Sequence, residues 1–131
     1  MWPFGRKDDE PMGRRGERLA AGMLRRKGMK ILARNYRCPA GEIDLIALDR
    51  STRRDVGAET IVFTEVKTRS SGQYAAPESA VDAEKRRHIT RAAHYYLARR
   101  PTEDYNVRYD IVSVVVPSGG QVQIKHIVDA F

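Results

Sequence analysis

The sequence predicts a mixed α/β fold, on three observations. Its elements read in order as helix, strand, strand, strand, helix, strand, strand. The second strand, residues 41–49, is apolar on both of its faces, which places it inside a sheet covered on both sides. A long helical segment stands between the third and fourth strands, so the chain crosses over there.

Each element follows from local pattern. Residues 1–12 hold two prolines and a mixed charge run and read as a flexible tail, leaving 13–131 as a single domain. From Gly13 to Lys27, the residues Gly16, Ala20, Met23, Leu24 and Lys27 recur at helical spacing, and Gly28 is the stop. Residues 30–37 read as a strand near a sheet edge, and Pro39-Ala40-Gly41 turns the chain into the next one. There Ile43, Leu45 and Ala47 point one way, and Asp44, Ile46 and Leu48 the other. Residues 50–59 form a polar hairpin loop. The strand 60–68 carries Ile61, Phe63, Glu65 and Lys67 on one face. A loop of small residues, 69–77, leads to a helix from about Glu78 to Arg99, stopped by Pro101. Segments 108–116 and 121–127 close the domain as a hairpin around Pro117-Ser118-Gly119-Gly120.

Composition narrows the class. With 131 residues, 41% hydrophobic and 31% charged, the chain suits one globular domain. No apolar run approaches the ~20 residues that span a bilayer. The opening MWPFGRKDDEP has no apolar core of a secretory signal, so the reading is cytoplasmic with no membrane partner. Cys38 is the single cysteine, which excludes an internal disulfide and any cysteine-cluster metal site.

Charge is strong and unevenly placed. Lysine and arginine number 24 against 17 acids, a net of +7. Residues 1–40 carry a net +7, residues 41–84 a net −4, and residues 85–131 a net +4. An acidic middle between basic flanks suits a cation site set in a surface that attracts a polyanion. Arginine outnumbers lysine, and its planar fork matches phosphate.

The chemistry converges on one place. Asp44 shares a strand face with Ile46 and Leu48, where an ionised carboxylate is costly unless a cation or hydrogen bonds meet it. Glu65 and Lys67, two apart on a strand, project from one face with Cα atoms about 6.5 Å apart. The two strands are consecutive, and pairing them brings Asp44 beside Glu65. Two carboxylates with an ammonium suit a hard divalent cation, and magnesium takes one or two carboxylates, keeps waters and binds substrate phosphate. The plain alternative is a buried Asp44–Lys67 or Glu65–Lys67 ion pair without metal. Glu17 falls on the core-facing side of the first helix and extends the acidic set. Its plain alternative is a first-turn glutamate answering the helix dipole.

Seven motifs in this order carry a resemblance. They are G-E-x-x-A at 16–20, K-I-L-A-R-N-Y-R at 30–37, G-E-I-D-L-I-A at 41–47 and V-F-T-E-V-K-T-R at 62–69, followed by K-x-x-x-I-x-x-A-A-x-Y-Y-L at 85–97, R-Y-D-I-V at 108–112 and H-I-V-D-A-F at 126–131. Together they resemble the bacterial YraN-like family of predicted endonucleases, itself similar to Holliday-junction resolvases of the PD-(D/E)xK nuclease superfamily. The resemblance spans Gly13 to Phe131. It implies a restriction-endonuclease-like fold with a mixed central sheet flanked by helices. It further implies that Asp44 and Glu65 ligate Mg²⁺, with Mn²⁺ as a substitute, that Lys67 is catalytic and that Glu17 is an accessory acid. The superfamily's usual proline before the aspartate is Ile43 here. By analogy alone, resolvase relatives also point to a homodimer.

Further positions are candidates for contact with DNA. Lys85 interrupts the apolar stripe of the long helix, either reaching the site or letting its amine snorkel to water. Arg87 and Arg91, with His94, form a row that tracks a phosphate backbone or simply faces solvent. Arg69 and Tyr74 follow the E-x-K strand, where Tyr74 stacks on a base or packs its loop. Asp110 shares a face with Val112 and Val114 and reads as half of a structural ion pair. The whole predicts a magnesium-dependent endonuclease on DNA, branched or structured DNA included. A non-catalytic nucleic-acid-binding module is the alternative, and a structural adaptor the third reading.

Overall fold

A computed structural model describes residues 11–70, 81–100 and 104–131. Its elements are α1 (Met12–Arg26), β1 (Lys30–Cys38), β2 (Gly41–Asp49), a 3₁₀ turn (Arg50–Thr52), α2 (Arg53–Val56), β3 (Thr60–Arg69), α3 (Ala83–Ala98), β4 (Asn106–Val115) and β5 (Gln123–Ile127). The five strands form one sheet in the order β1-β2-β3-β4-β5. β1, β2 and β3 run antiparallel as a meander. β3 and β4 are parallel, joined by the crossover through α3, and β5 returns antiparallel. This is a mixed α/β fold of restriction-endonuclease-like arrangement. No helix among the described residues is long and apolar enough to cross a membrane.

Two apolar layers explain the patterning of β2 and β3. One face of the sheet packs Leu45, Ala47, Val62, Val66, Val112 and Val114 under Ala20, Ala21 and Leu24 of α1. The other packs Ile46, Leu48, Ile61, Phe63 and Ile111 under Ile89, Ala92 and Ala93 of α3. β3 is buried without interruption from Thr60 to Val66 because helices cover it on both sides. β1 lies at the edge as predicted, with a register shift between Ile31 and Ala33.

The boundaries depart from the sequence reading where capping decides them. α1 ends as expected at Gly28 (φ 92°), whose N–H reaches Arg25 O while the Met29 N–H reaches Leu24 O, a Schellman closure. α3 starts at Ala83, because the Asp82 carboxylate caps the Lys85 N–H at 2.9 Å. The predicted start near Glu78 lies outside the described residues, as do Tyr74 and residues 1–10 of the predicted tail. β4 begins two residues earlier than read, and β5 two later. The polar loop 50–59 is in fact wound into the 3₁₀ turn and α2, because Asp49 Oδ1 accepts from both the N–H and the hydroxyl of Ser51. Thr52 Oγ1 ties the far side of that loop to Ala58 O at 2.8 Å.

Gly16 sets how closely α1 approaches β3. A Cβ at this position would stand 1.8 Å from Thr68 Oγ1, closer than any packing allows. Gly16→Ala is therefore expected to destabilise the fold by about 1–3 kcal/mol, the usual cost of overpacking, although glycine to alanine within a helix ordinarily helps. Chemical denaturation would read this as a lowered midpoint at unchanged slope.

Candidate metal and phosphate site

The site forms where β2 and β3 part. Leu45 faces Thr64 in the antiparallel register, and the ladder stops at that pair. Asp44 and Glu65 stand at the next rung. The Val66 N–H is donated to Asp44 Oδ2 at 2.8 Å, in place of a β2 carbonyl. A carboxylate has replaced a rung of the ladder, which anchors Asp44 and opens the space between the strands.

The two acids are close neighbours. Burial and then the Glu65 charge push the Asp44 carboxyl up to about 7, against the pull of the Val66 N–H and of Lys85, and the two carboxyls hydrogen-bond each other. Glu65 is buried at 6% exposure, whereas Asp44 is partly open to solvent. Below about pH 7 the pair therefore keeps a proton between its two carboxyls, and ionising both is unfavourable. This is the condition in which a divalent cation gains most.

Lys85 answers part of that charge. Its Nζ lies 3.1 Å from Glu65 Oε1. Desolvation works against its ammonium, but Glu65 and then Asp44 and Glu42 hold its pKa above the ordinary lysine value. Of the two readings of Lys85, the structure shows the one that reaches the acids. The cause is visible in the fold: α3 lies across β2 with its first turn over the end of the ladder.

Lys67 follows Glu65 by two residues on β3, so strand alternation puts it on the same face, half-buried. Among the described residues no hydrogen bond or ion pair engages it, so neither predicted ion pair to Lys67 forms. Glu17 comes from α1, on the opposite face, and its side chain hydrogen-bonds Asn35. Burial raises its pKa against that bond, and Asp44 and Glu42 add to the rise, so it sits within their field. Among the described residues no three His, Cys, Asp or Glu side chains gather at ligand distance, and Glu17 remains a neighbour of the acidic pair. Two carboxylates, of which Asp44 is partly open to solvent, nonetheless fit magnesium, which commonly takes one or two and retains water.

The remaining candidates fall around this centre. Arg69 ends β3 on the face of Glu65 and Lys67. Arg87 and Arg91 are exposed on the outer surface of α3, with His94 beside them. Asp110 is an internal ion-pair residue as read. Sequence reasoning missed its full circle, in which Arg108 bridges Asp110 to Asp49 and His126 joins from β5. It also missed a group of cations at the far end of the sheet, around Arg50 and Arg53.

The chain matches the model of a family described as "Uncharacterised protein family UPF0102" over residues 16–114. It belongs to the UPF0102 family. This is the YraN-like group of the resemblance, and the matched span includes Glu17, Asp44, Glu65, Lys67 and Lys85. A UPF0102 protein of Pelobacter propionicus is 40% identical over 126 residues, covering 96% of this chain and 86% of the relative. One from Geobacter metallireducens is 44% identical over 123 residues, 94% and 93% of the two chains. The UPF0102 protein of Nocardia farcinica is 41% identical over 124 residues, 95% and 91%.

The acidic pair gives this UPF0102 chain a characteristic pH dependence. Unfolded, Asp44 ionises near its ordinary 3.8; folded, it ionises near 7. As pH rises through that window the unfolded chain releases the proton first, so the fold loses stability towards neutrality. Glu17, also raised, acts in the same direction above its ordinary 4.5. Asp49 and Asp110 are held below 3.8: burial pushes both up, but Ser51 and Arg108 on the first, and His126 and Arg108 on the second, more than offset it. Their stabilisation is lost only as pH falls below that value. In chelator, the melting temperature is expected to fall between about pH 4.5 and 7, and Asp44→Asn to flatten that limb. A rise across the window in the parent chain would contradict the shift.

Proposed function

We propose that this protein is a magnesium-dependent endonuclease that hydrolyses phosphodiester bonds in DNA, branched or structured DNA included. The observation that carries the reading is the meeting of Asp44 and Glu65 at the opened end of the β2–β3 ladder, with Lys67 on the same face and Lys85 against Glu65. Family membership, the net charge of +7 and the exposed Arg87 and Arg91 support it.

Asp44 and Glu65 would hold the cation, which supplies Lewis acidity toward a phosphoryl oxygen and a more acidic water. The chain's own groups do the rest. The Val66 N–H keeps the Asp44 carboxylate aimed into the gap. Lys67, with no hydrogen bond or ion pair among the described residues, would donate a hydrogen bond to the attacking water or to the charge that develops on the phosphoryl oxygens. Lys85 neutralises Glu65 while the site is empty of substrate, and its flexible stem lets the ammonium move to an entering phosphate. Arg69, Arg87 and Arg91 contact the backbone on either side, and Tyr74 is the candidate to stack on a base. Asp44, Glu65, Lys67 and the accessory Glu17 are the proposed catalytic set, within one domain of residues 13–131 acting as a homodimer on symmetric substrates.

The test is cleavage of labelled duplex, single-stranded and four-way-junction DNA with magnesium, manganese or chelator. Cutting that needs a divalent cation supports the proposal. Salt-sensitive binding without cutting on every substrate supports the binding module instead, and the absence of both overturns each reading.

A further inference from the structure

We infer that the end of the sheet remote from the acids carries a second phosphate-binding site, which holds the DNA backbone about six base pairs from the site of cleavage; this rests on the nuclease reading. A hollow of about 570 Å³ opens there between the start of β1, the loop after β2 and the end of α3. Lys30, Arg50, Arg53 and Arg100 line it together with Tyr105, against two acids, Glu59 and Asp104. Arg50 and Arg53 also line an adjoining hollow of about 710 Å³ with Arg54 and Asp55.

Three features make this a built site rather than a chance gathering of surface charge. The loop that presents Arg50 and Arg53 is wound by the Asp49 cap and tied by Thr52 to Ala58 O and to Thr60 Oγ1, at 2.8 and 2.7 Å. Asp49, which caps the loop, is occupied by Ser51 and by Arg108 at 3.2 Å, so it does not compete for the loop's arginines. Arg100 is clamped: its guanidinium lies 5.3 Å from the Tyr96 ring and 5.7 Å from the Tyr105 ring, and Nη1 bonds the Tyr96 hydroxyl. Its Nε is buried with no hydrogen-bond partner among the described residues, an unspent donor beside the hollow.

Geometry names the ligand. From Asp44 to Arg50 is six residues of β2, or about 20 Å at strand rise. From Lys85 to Arg100 is fifteen residues of α3, about 22 Å at helical rise. Both routes agree, and about 20 Å corresponds to roughly six base pairs at 3.4 Å per pair. The exposed Arg87 and Arg91 lie between the two ends on the same helix. A nucleic-acid backbone fits this spacing, whereas a single small anion would engage one end only.

The test is DNA binding in chelator, where no cutting occurs, read by fluorescence anisotropy across salt concentration. Arg50→Ala/Arg53→Ala changes two exposed side chains outside the acidic centre. On a 20-base-pair duplex it is expected to lower the slope of log K against log salt by about 1.8, two phosphate contacts at ~0.9 each. An unchanged slope overturns the second site and leaves the nuclease reading standing. A reduced slope in a protein that never cuts keeps this site and removes the nuclease reading.

Discussion

Lys67→Ala is expected to lower the rate of DNA cleavage by about 10²–10³-fold, the usual loss when one preorganised donor to a developing oxyanion is removed. The fold should not notice. Lys67 is half-buried and, among the described residues, has no hydrogen bond or ion pair to lose, so a stability change within about 0.5 kcal/mol is expected. Asp44→Ala should abolish cutting as well, for a different reason, because it removes a ligand and the acceptor of the Val66 N–H. Asp44→Asn separates these roles: it keeps a hydrogen-bond acceptor at Oδ, removes the carboxylate and leaves the Glu65–Lys85 pair intact. Both Asp44 variants should bind DNA nearly as the parent does, since the cations that contact phosphate are untouched. The measurement is single-turnover cleavage beside anisotropy on the same substrate. Cutting that survives in both Lys67→Ala and Asp44→Ala removes the nuclease proposal.

These outcomes depend on a site that is partly legible in the sequence. The period of two on 60–68 put Glu65 and Lys67 on one face, and consecutive strands put Asp44 one rung away. Both follow from strand geometry alone. What strand geometry does not carry is the partner from the helix. Lys85 stood out as a charge in an apolar stripe, but whether its amine meets the acids depends on where α3 lies across β2, a tertiary quantity. The loop 50–59 departs from its pattern for a related reason. Its polar composition describes a hairpin, yet Asp49 and Thr52 spend their side chains winding it into helical turns. α3 starts later than its pattern predicts because Asp82 is its cap rather than part of the helix. Local pattern revealed the faces of β3, but β2 breaks its alternation at Asp44, so that Ile43 joins Ile46 and Leu48 in the layer under α3 rather than Leu45 and Ala47 under α1; caps and helix placement decided the rest.

The longest-range feature, the ring of charge around Asp110, carries the largest expected effect on stability. Asp110 has no exposed surface and accepts four hydrogen bonds: from Arg108 Nε at 2.9 Å and Nη2 at 3.0 Å, from His126 Nε2 at 2.7 Å and from the Asp129 N–H at 3.0 Å. Lys27 Nζ stands 2.8 Å from His126 Nδ1. A lysine ammonium can only donate, so Nδ1 is the acceptor and Nε2–H is the donor to Asp110. One carboxylate therefore joins the end of α1, the C-terminal strand and, through Arg108, the Asp49 cap of the arginine-bearing loop. Asp110→Ala would take two hydrogen bonds from a largely buried guanidinium that keeps Asp49, and leave the His126 N–H and the Asp129 N–H without their acceptor. The expected loss is about 3–5 kcal/mol, a large share of the ~5–15 kcal/mol that holds a domain of this size. Asp110→Asn keeps the shape and one acceptor and should lose less. Urea denaturation at pH 7 measures both, and a loss under about 1 kcal/mol for Asp110→Ala would show that the ring is not structural. Because β4 pairs with β3 through Thr64–Asp110 and Glu65–Ile111, loosening Asp110 also loosens the backbone that carries Glu65. Even Asp110→Asn, which still folds, is then expected to cut more slowly, although Asp110 is set on the opposite face of the sheet from the acidic pair.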